Sequence, residues 1–126
     1  MVRPLFLLVA VPQFFGAFGH AFLGERDIFP KLTVASTGLE PAALRVLRVT
    51  WHSASMTFVF LSGVLTVLGL KRGVLTRHER WIVMGVAAWY ALEGIACVGY
   101  WDSSKPQPWF FVLNSVLVQL GLYYTP

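Results

Sequence analysis

The stretch "RVLRVTWHSASMTFVFLSG", residues 45–63, begins as a basic sequence and ends as a largely apolar one. Four polar residues follow one another in it at spacings of three, four and three: Arg45, Arg48, His52 and Ser55. Residues at these spacings lie on one face of an α-helix. The stretch therefore predicts a helix that enters a membrane with a polar stripe on one side.

The composition of the whole chain agrees with a membrane protein. Hydrophobic residues make up 56% of the sequence and charged residues only 13%, which is too apolar for an ordinary soluble domain. Four apolar stretches, residues 5–23, 50–70, 81–100 and 109–124, are each near the roughly 20 residues that cross a bilayer as a helix. The sequence predicts an all-α integral membrane protein, an antiparallel four-helix bundle that forms a single domain over residues 1–126.

The second of these helices is predicted to begin well before its apolar part. In "TGLEPAALRVLR", residues 37–48, Thr37 and Glu40 have the spacing of a capping box and Pro41 falls in the first turn. No helix-breaking residue follows until Gly63. We expect one unbroken helix from about residue 39 to residue 70, with Arg45 and Arg48 on its bundle-facing side.

The polar stripe of this helix continues into the membrane. Beyond Ser55 the same face carries Val59, Ser62 and Thr66. A polar stripe inside a bilayer is expected to face the bundle, because lipid offers it no hydrogen-bond partners. The other helices bring polar residues to the outer half of the membrane as well, which predicts a constellation from four helices: His20, His52, Glu93 and Asn114.

Two segments of the first half carry a resemblance to a known group of proteins. "GHAFLGERDIF", residues 19–29, contains the pattern GHxxxGER, and "LRVTWHSASMTF", residues 47–58, contains WHxxS. With these two signatures the chain resembles small four-span bacterial inner-membrane proteins of unknown function. The resemblance implies a four-helix fold in a bacterial inner membrane, and it implies no activity.

Positive charges and aromatic residues indicate how the chain is oriented. The link "KRGVLTRHER", residues 71–80, carries four Lys or Arg, and together with Arg3 it favours both termini on the inside. Aromatic residues stand where interfacial belts are expected, at Trp81, Trp101, Trp109, Tyr123 and Tyr124.

The first functional hypothesis is a b-type haem for electron transfer, held by His20 and His52 as axial ligands. Such a site needs two imidazoles at similar depth on neighbouring helices and cations for the propionates. Arg26, Arg45 and Arg48 would supply the cations at the level of the head groups.

Two alternatives use partly the same residues. His20, His52 and Glu93 form a possible set of ligands for a transition metal, because imidazole and carboxylate bind zinc, copper and iron. A pocket for a lipid or an isoprenoid is the other alternative, with Glu93 as a catalytic acid or base beside a histidine. An ionisable residue inside a membrane span is by default a functional candidate. The sequence also permits a chain without any cofactor, and it leaves open whether the chain is an enzyme.

Several other classes are set aside. The sequence has no Gly-rich phosphate loop, CxxC, GxSxG or HExxH pattern. Its net charge of +4 arises at the flanks of the apolar stretches, so we expect membrane lipids rather than nucleic acid as partners. The sequence leaves open whether the chain forms a homo-oligomer or is a subunit of a larger membrane complex.

Overall fold

A computed structural model describes residues 3–100 and 106–124, with side chains for all of these except residues 99 and 100. In this part of the chain every regular element is helical. Three helical segments are long and apolar enough to cross a membrane, Pro4–Lys31, Pro41–Leu70 and Arg77–Val98. The predicted all-α membrane class is confirmed. The predicted interfacial Trp101 lies outside the described residues.

The first helix, α1, spans Pro4–Leu23 and contains Pro12. The chain does not leave the helical path at its end, because a π-helical turn follows at Gly24–Ile28 and a 3-10 turn at Phe29–Lys31. The first apolar stretch, predicted over residues 5–23, is thus prolonged by eight helical residues, and Glu25 lies in the first of these two turns.

A short helix α2, Val34–Thr37, precedes the long one. Its capping box is formed by Thr33 and Ser36, whose side chains each accept from the other's backbone N–H. The predicted capping box of Thr37 and Glu40 is therefore wrong. Thr37 is the last residue of α2, and Gly38 ends that helix with a positive φ of 68°, which glycine adopts without steric cost.

Helix α3 spans Pro41–Leu70 without a break. At 1.5 Å per residue its 30 residues measure about 45 Å, longer than a hydrocarbon core of about 30 Å. The expectation of one long second helix is confirmed. Its polar stripe changes in burial along the helix, since Arg45 and Arg48 are exposed whereas Ser55 and Ser62 are buried.

Helices α4, Arg77–Tyr100, and α5, Pro106–Tyr123, pack closely against each other. A capping box of Thr76 and Glu79 begins α4. The Ser115 hydroxyl of α5 donates to the Ala87 carbonyl of α4 at 2.9 Å. At Gly94, any added Cβ would lie 2.8 Å from a methyl carbon of Val112. The order of these contacts along the chain makes the pair antiparallel.

The chain divides into two compact units. We call Val11–Gly63 the histidine unit, and Met1–Ala10 with Val64–Pro126 the terminal unit. In the terminal unit, the Arg3 guanidinium donates to the carbonyls of Leu68, Lys71 and Gly73 at 2.5–3.1 Å. We call these groups the Arg3 cluster. Arg3 is 4% exposed, and it binds one carbonyl that the last turn of α3 leaves without a helical partner and two carbonyls of the link that follows.

Large apolar side chains remain exposed on the helices. Several leave about two thirds of their surface uncovered by the chain itself, and a bilayer is the medium that such surfaces fit. They occur on α1, α3 and α4 at Phe15, Met56, Phe60, Val67, Leu92 and Ile95.

Candidate functional site

The end of α1 and the first half of α3 meet in the histidine unit through Trp51. Its indole Nε1 donates to the His20 carbonyl at 2.8 Å, and its ring stacks on the His20 imidazole with centroids 3.8 Å apart. Gly24 makes this approach possible, since any Cβ there would lie 2.4 Å from Nε1 of Trp51. The glycine and the tryptophan of the two signatures are thus required by one contact.

The imidazole of His20 is held on a second side as well. Its Nδ1 lies 2.8 Å from the Ser55 hydroxyl, which also approaches the Trp51 carbonyl at 3.3 Å. A hydroxyl that donates to a carbonyl can accept from Nδ1–H of the imidazole. We call His20, Trp51 and Ser55 the His20 cluster. Ser55 is 6% exposed, so this hydrogen bond is shielded from solvent.

Glu25, in the π-helical turn after α1, binds two side chains of α3, those of Arg48 and His52. Glu25 accepts from Nε of Arg48 at 2.7 Å and from its Nη2, which makes a bidentate pair. The same Oε1 lies 2.6 Å from Nε2 of His52. We call these residues the Glu25 cluster. Their side chains are 37% exposed for Glu25, 39% for His52 and 56% for Arg48, so a ligand can reach all three.

A small cavity adjoins the Glu25 cluster. It has a volume of about 130 Å³ and is lined by three apolar side chains and two arginines: Phe29, Leu32, Leu44, Arg45 and Arg48. The Phe29 ring lies 5.6 Å from the Arg48 guanidinium, in reach of a cation–π interaction. Phe29 also contacts the His52 ring, at 6.1 Å between centroids. We call this the Arg45 cavity.

The predicted site residues of the histidine unit occur in three different places. His52 and Arg48 are joined through Glu25, and Arg45 lines the neighbouring cavity. His20 belongs to the His20 cluster. Arg26, predicted as a cation for the same ligand, pairs instead with the adjacent Asp27 at 2.6–2.8 Å and lies over the Phe22 ring.

The predicted residues of the terminal unit are described by themselves. Glu93 lies on α4, half-buried, one turn before Cys97. Asn114 lies on α5 and is 3% exposed, with no described partner for its Nδ2. Across residues 3–100 and 106–124, no three His, Cys, Asp or Glu side chains are grouped to hold a metal ion.

Sequence reasoning missed Glu25, the residue that connects the histidine unit's polar side chains. A signal for it exists in the sequence. Arg48 and His52 are four residues apart on one helix face, so they can donate to one common acceptor. Glu25, the acidic residue of GHxxxGER, is the first acidic residue after the end of α1, which makes it a candidate for that acceptor.

Comparison with known proteins adds no family to this geometry. No protein-family model matches the sequence, and neither curated proteins nor solved structures give a match.

Proposed function

We propose that the chain is an integral membrane protein whose histidine unit binds the anionic head group of a lipid or isoprenoid, with His52 and Glu25 as a proton-accepting pair. One observation carries the proposal: a single carboxylate holds Arg48 and His52 together beside a cavity that has a second arginine and apolar walls.

The two arginines provide the anion-binding groups. Guanidinium groups bind phosphate and carboxylate oxygens through paired N–H donors. Arg48 directs Nε and Nη2 to Glu25, which leaves Nη1 for a ligand. Arg45 has no carboxylate partner among the described residues. The apolar walls formed by Phe29, Leu32 and Leu44 suit the start of a hydrocarbon chain.

The histidine and the carboxylate provide acid–base chemistry. With Nε2 of His52 protonated and donating to Glu25, the lone pair of the ring is on Nδ1. A carboxylate that fixes the tautomer of an imidazole is the usual arrangement of a general base. In this proposal Glu25 takes the role that the sequence suggested for Glu93.

The test is a titration of the protein in neutral detergent with a short-chain phosphatidic acid. The NMR signal of the His52 ring is recorded at each step and gives the affinity. We expect Arg45→Gln to weaken binding about tenfold, the effect of one charge-assisted hydrogen bond. Arg26→Gln is the matched control and should leave the affinity unchanged, because Arg26 is paired with Asp27. Equal losses in both variants would contradict the proposal. Inorganic phosphate, tested separately, should bind far more weakly than the lipid.

A bis-histidine b-type haem is the second candidate, and the His20 cluster is the observation that favours it. Ligand imidazoles are usually oriented by a hydrogen bond at the other ring nitrogen, and Ser55 makes such a bond to Nδ1 of His20. His52 fits less well, because its Nε2 is bonded to Glu25. An absorption spectrum of the purified protein tests this candidate: a haem band lost in His20→Ala would favour it over the lipid site.

The finer topology is part of the same proposal: a four-span antiparallel bundle in a bacterial inner membrane, with both termini inside. Helix α5 has 18 residues, about 27 Å, and runs along α4. In a Cys97→Ser background, Val74→Cys and Tyr124→Cys should react with an impermeant maleimide only in inverted vesicles. Ser36→Cys should react only in right-side-out vesicles. Labelling of Val74→Cys and Tyr124→Cys from opposite sides would exclude a fourth span.

A further inference from the structure

The Arg45 cavity is too small to hold a whole lipid. Its volume of about 130 Å³ is less than half of the roughly 300 Å³ at which ligand pockets begin. At about 30 Å³ for each water molecule, it has room for about four waters, which is a space that one phosphate group fills. The remainder of a bound lipid must lie outside the cavity, so the cavity limits the size of the head group.

The lining of the cavity limits the chemistry of the head group as well. Arg45 and Arg48 form its cationic side, and the half-buried Phe29, Leu32 and Leu44 form its apolar side. Among the described residues that line the cavity, the two arginines are the only polar side chains. Because a guanidinium only donates hydrogen bonds, the lining has no side-chain acceptor for the hydroxyl groups of a larger head group.

His52 adjoins the cavity through Phe29, whose ring contacts both the His52 ring and the Arg48 guanidinium. Glu25 binds His52 directly, Arg48 binds the same carboxylate, and His20 interacts with His52 electrostatically. In the proposed function His52 accepts a proton, so the ligand must be able to release one. A phosphomonoester has such a proton, because its second ionisation has a pKa of about 6, whereas a phosphodiester has none in this range.

We propose that the ligand of the Arg45 cavity is a lipid phosphomonoester, and that lipids with a phosphodiester head group bind more weakly. The proposal rests on the proposed function, because it names the class of anion that the same site takes. The terminal oxygens of the phosphate accept from Arg45 and from Nη1 of Arg48. The P–O–H proton passes to Nδ1 of His52. The two arginines and the imidazolium then balance the phosphate dianion and the Glu25 carboxylate.

Three lipids in neutral detergent test the proposal: a short-chain phosphatidic acid, its methyl ester phosphatidylmethanol, and phosphatidylglycerol. The methyl ester lacks the acidic proton and one charge but adds only a single carbon, so it separates charge from size. We expect it to bind about tenfold more weakly than phosphatidic acid, the effect of one charge-assisted hydrogen bond. Phosphatidylglycerol should bind more weakly still, because its head group exceeds the cavity.

The NMR spectrum of the His52 ring provides a second readout at slightly acidic pH, where part of the phosphatidic acid still carries its second proton. Phosphatidic acid should shift the ring signal toward that of an imidazolium, and phosphatidylmethanol should not. Equal shifts with both lipids would overturn the proton transfer. Glycerol 3-phosphate, a monoester without a hydrocarbon chain, should bind at least about tenfold more weakly than phosphatidic acid. Equal binding of the two would make free phosphate esters the ligand and overturn the proposal.

Leu44→Ala tests the size limit, because it removes most of one apolar wall. It should raise the affinity for phosphatidylglycerol relative to phosphatidic acid about fivefold. Leu47→Ala, on the same helix but outside the lining, is the matched control and should leave this ratio unchanged. Equal affinities of the wild type for phosphatidic acid and phosphatidylglycerol, with both weakened in Arg45→Gln, would overturn this inference and leave the proposed function intact. Phosphatidic acid binding that Arg45→Gln does not weaken would overturn the proposed function itself.

Discussion

The Arg3 cluster joins the residue before α1 to the end of α3 and the link after it, and the Glu25 cluster joins the π-helical turn after α1 to α3. The two clusters use hydrogen bonds in opposite ways. The guanidinium of Arg3 donates only to backbone carbonyls and is 4% exposed. The carboxylate of Glu25 binds only side chains, and each member of its cluster is more than a third exposed. A buried guanidinium on backbone carbonyls is shielded from ligands, whereas the exposed side chains of the Glu25 cluster can be reached by one. We therefore expect the first cluster to contribute stability, and in the proposed function the second contributes binding.

The largest effect on stability is expected from Arg3→Ala. One carbonyl in the last turn of α3 and two in the link after it would lose a charged donor, which costs about 3 kcal/mol of unfolding free energy. Arg72→Ala, an exposed arginine near the same helix end, should change it by less than about 0.5 kcal/mol. Chemical unfolding in detergent measures both. Similar losses of unfolding free energy in the two variants would contradict the stabilising role of the Arg3 cluster.

Gly24→Ala is expected to have the next largest effect. The added Cβ would lie 2.4 Å from Nε1 of Trp51, so the indole must move and its bond to the His20 carbonyl is lost. Overpacking of this kind costs about 2 kcal/mol. Gly19→Ala is the matched control, with nothing within 4 Å of its Cβ. Thermal unfolding should separate the two glycines, and a stable Gly24→Ala would mean that Trp51 does not fix the site.

Much of the fold could be predicted from the sequence, because in lipid an apolar stretch satisfies its backbone hydrogen bonds by forming a helix. The long helix α3 is the clearest case, since no breaker interrupts it between Pro41 and Leu70. The turns were harder to predict. Two pairs with the spacing of a capping box lie within eight residues, Thr33 with Ser36 and Thr37 with Glu40. Only the first begins a helix, because Gly38 has a positive φ and ends that helix directly after Thr37.

The candidate site was predictable in its arginines and histidines, and not in its carboxylate or its pairings. The spacing of Arg48 and His52 placed both on one helix face, as observed. It could not show that Glu25 would remain helical after α1 and bring its carboxylate to them, since this depends on a π-helical turn. Arg26 was predicted at the site, but its side chain binds Asp27 instead. The sequence alone could not show this pairing either.

Ser55→Ala tests the His20 cluster and is expected to have a smaller effect on stability than Gly24→Ala. It removes the hydroxyl that binds Nδ1 of His20 in a buried position, and we expect a loss of about 1 kcal/mol in unfolding free energy. Ser53→Ala is the control, because that exposed hydroxyl bonds only to the Val49 carbonyl of its own helix. Equal effects of the two serines on the unfolding midpoint would show that His20 is not held by Ser55.

The smallest effect on stability, and the most informative one on binding, is expected from Glu25→Gln. The cluster is exposed and its charges are screened, so the unfolding midpoint should stay within error of the wild type. Binding should change in the opposite direction from Arg45→Gln. Glu25 occupies two donors of Arg48 and adds a negative charge beside the Arg45 cavity, so its removal should strengthen the binding of phosphatidic acid about fivefold.

Asp27→Asn is the control for this last variant, since Asp27 is bound to Arg26 and does not line the Arg45 cavity. It should change neither the affinity nor the NMR signal of His52. The sign of the Glu25→Gln effect decides the role of the carboxylate. Tighter binding means that Glu25 competes with the anion for Arg48, so that a ligand displaces it and releases the carboxylate to His52. Weaker binding would mean that Glu25 holds Arg48 in place, and the Glu25 cluster would then resemble the Arg3 cluster in function.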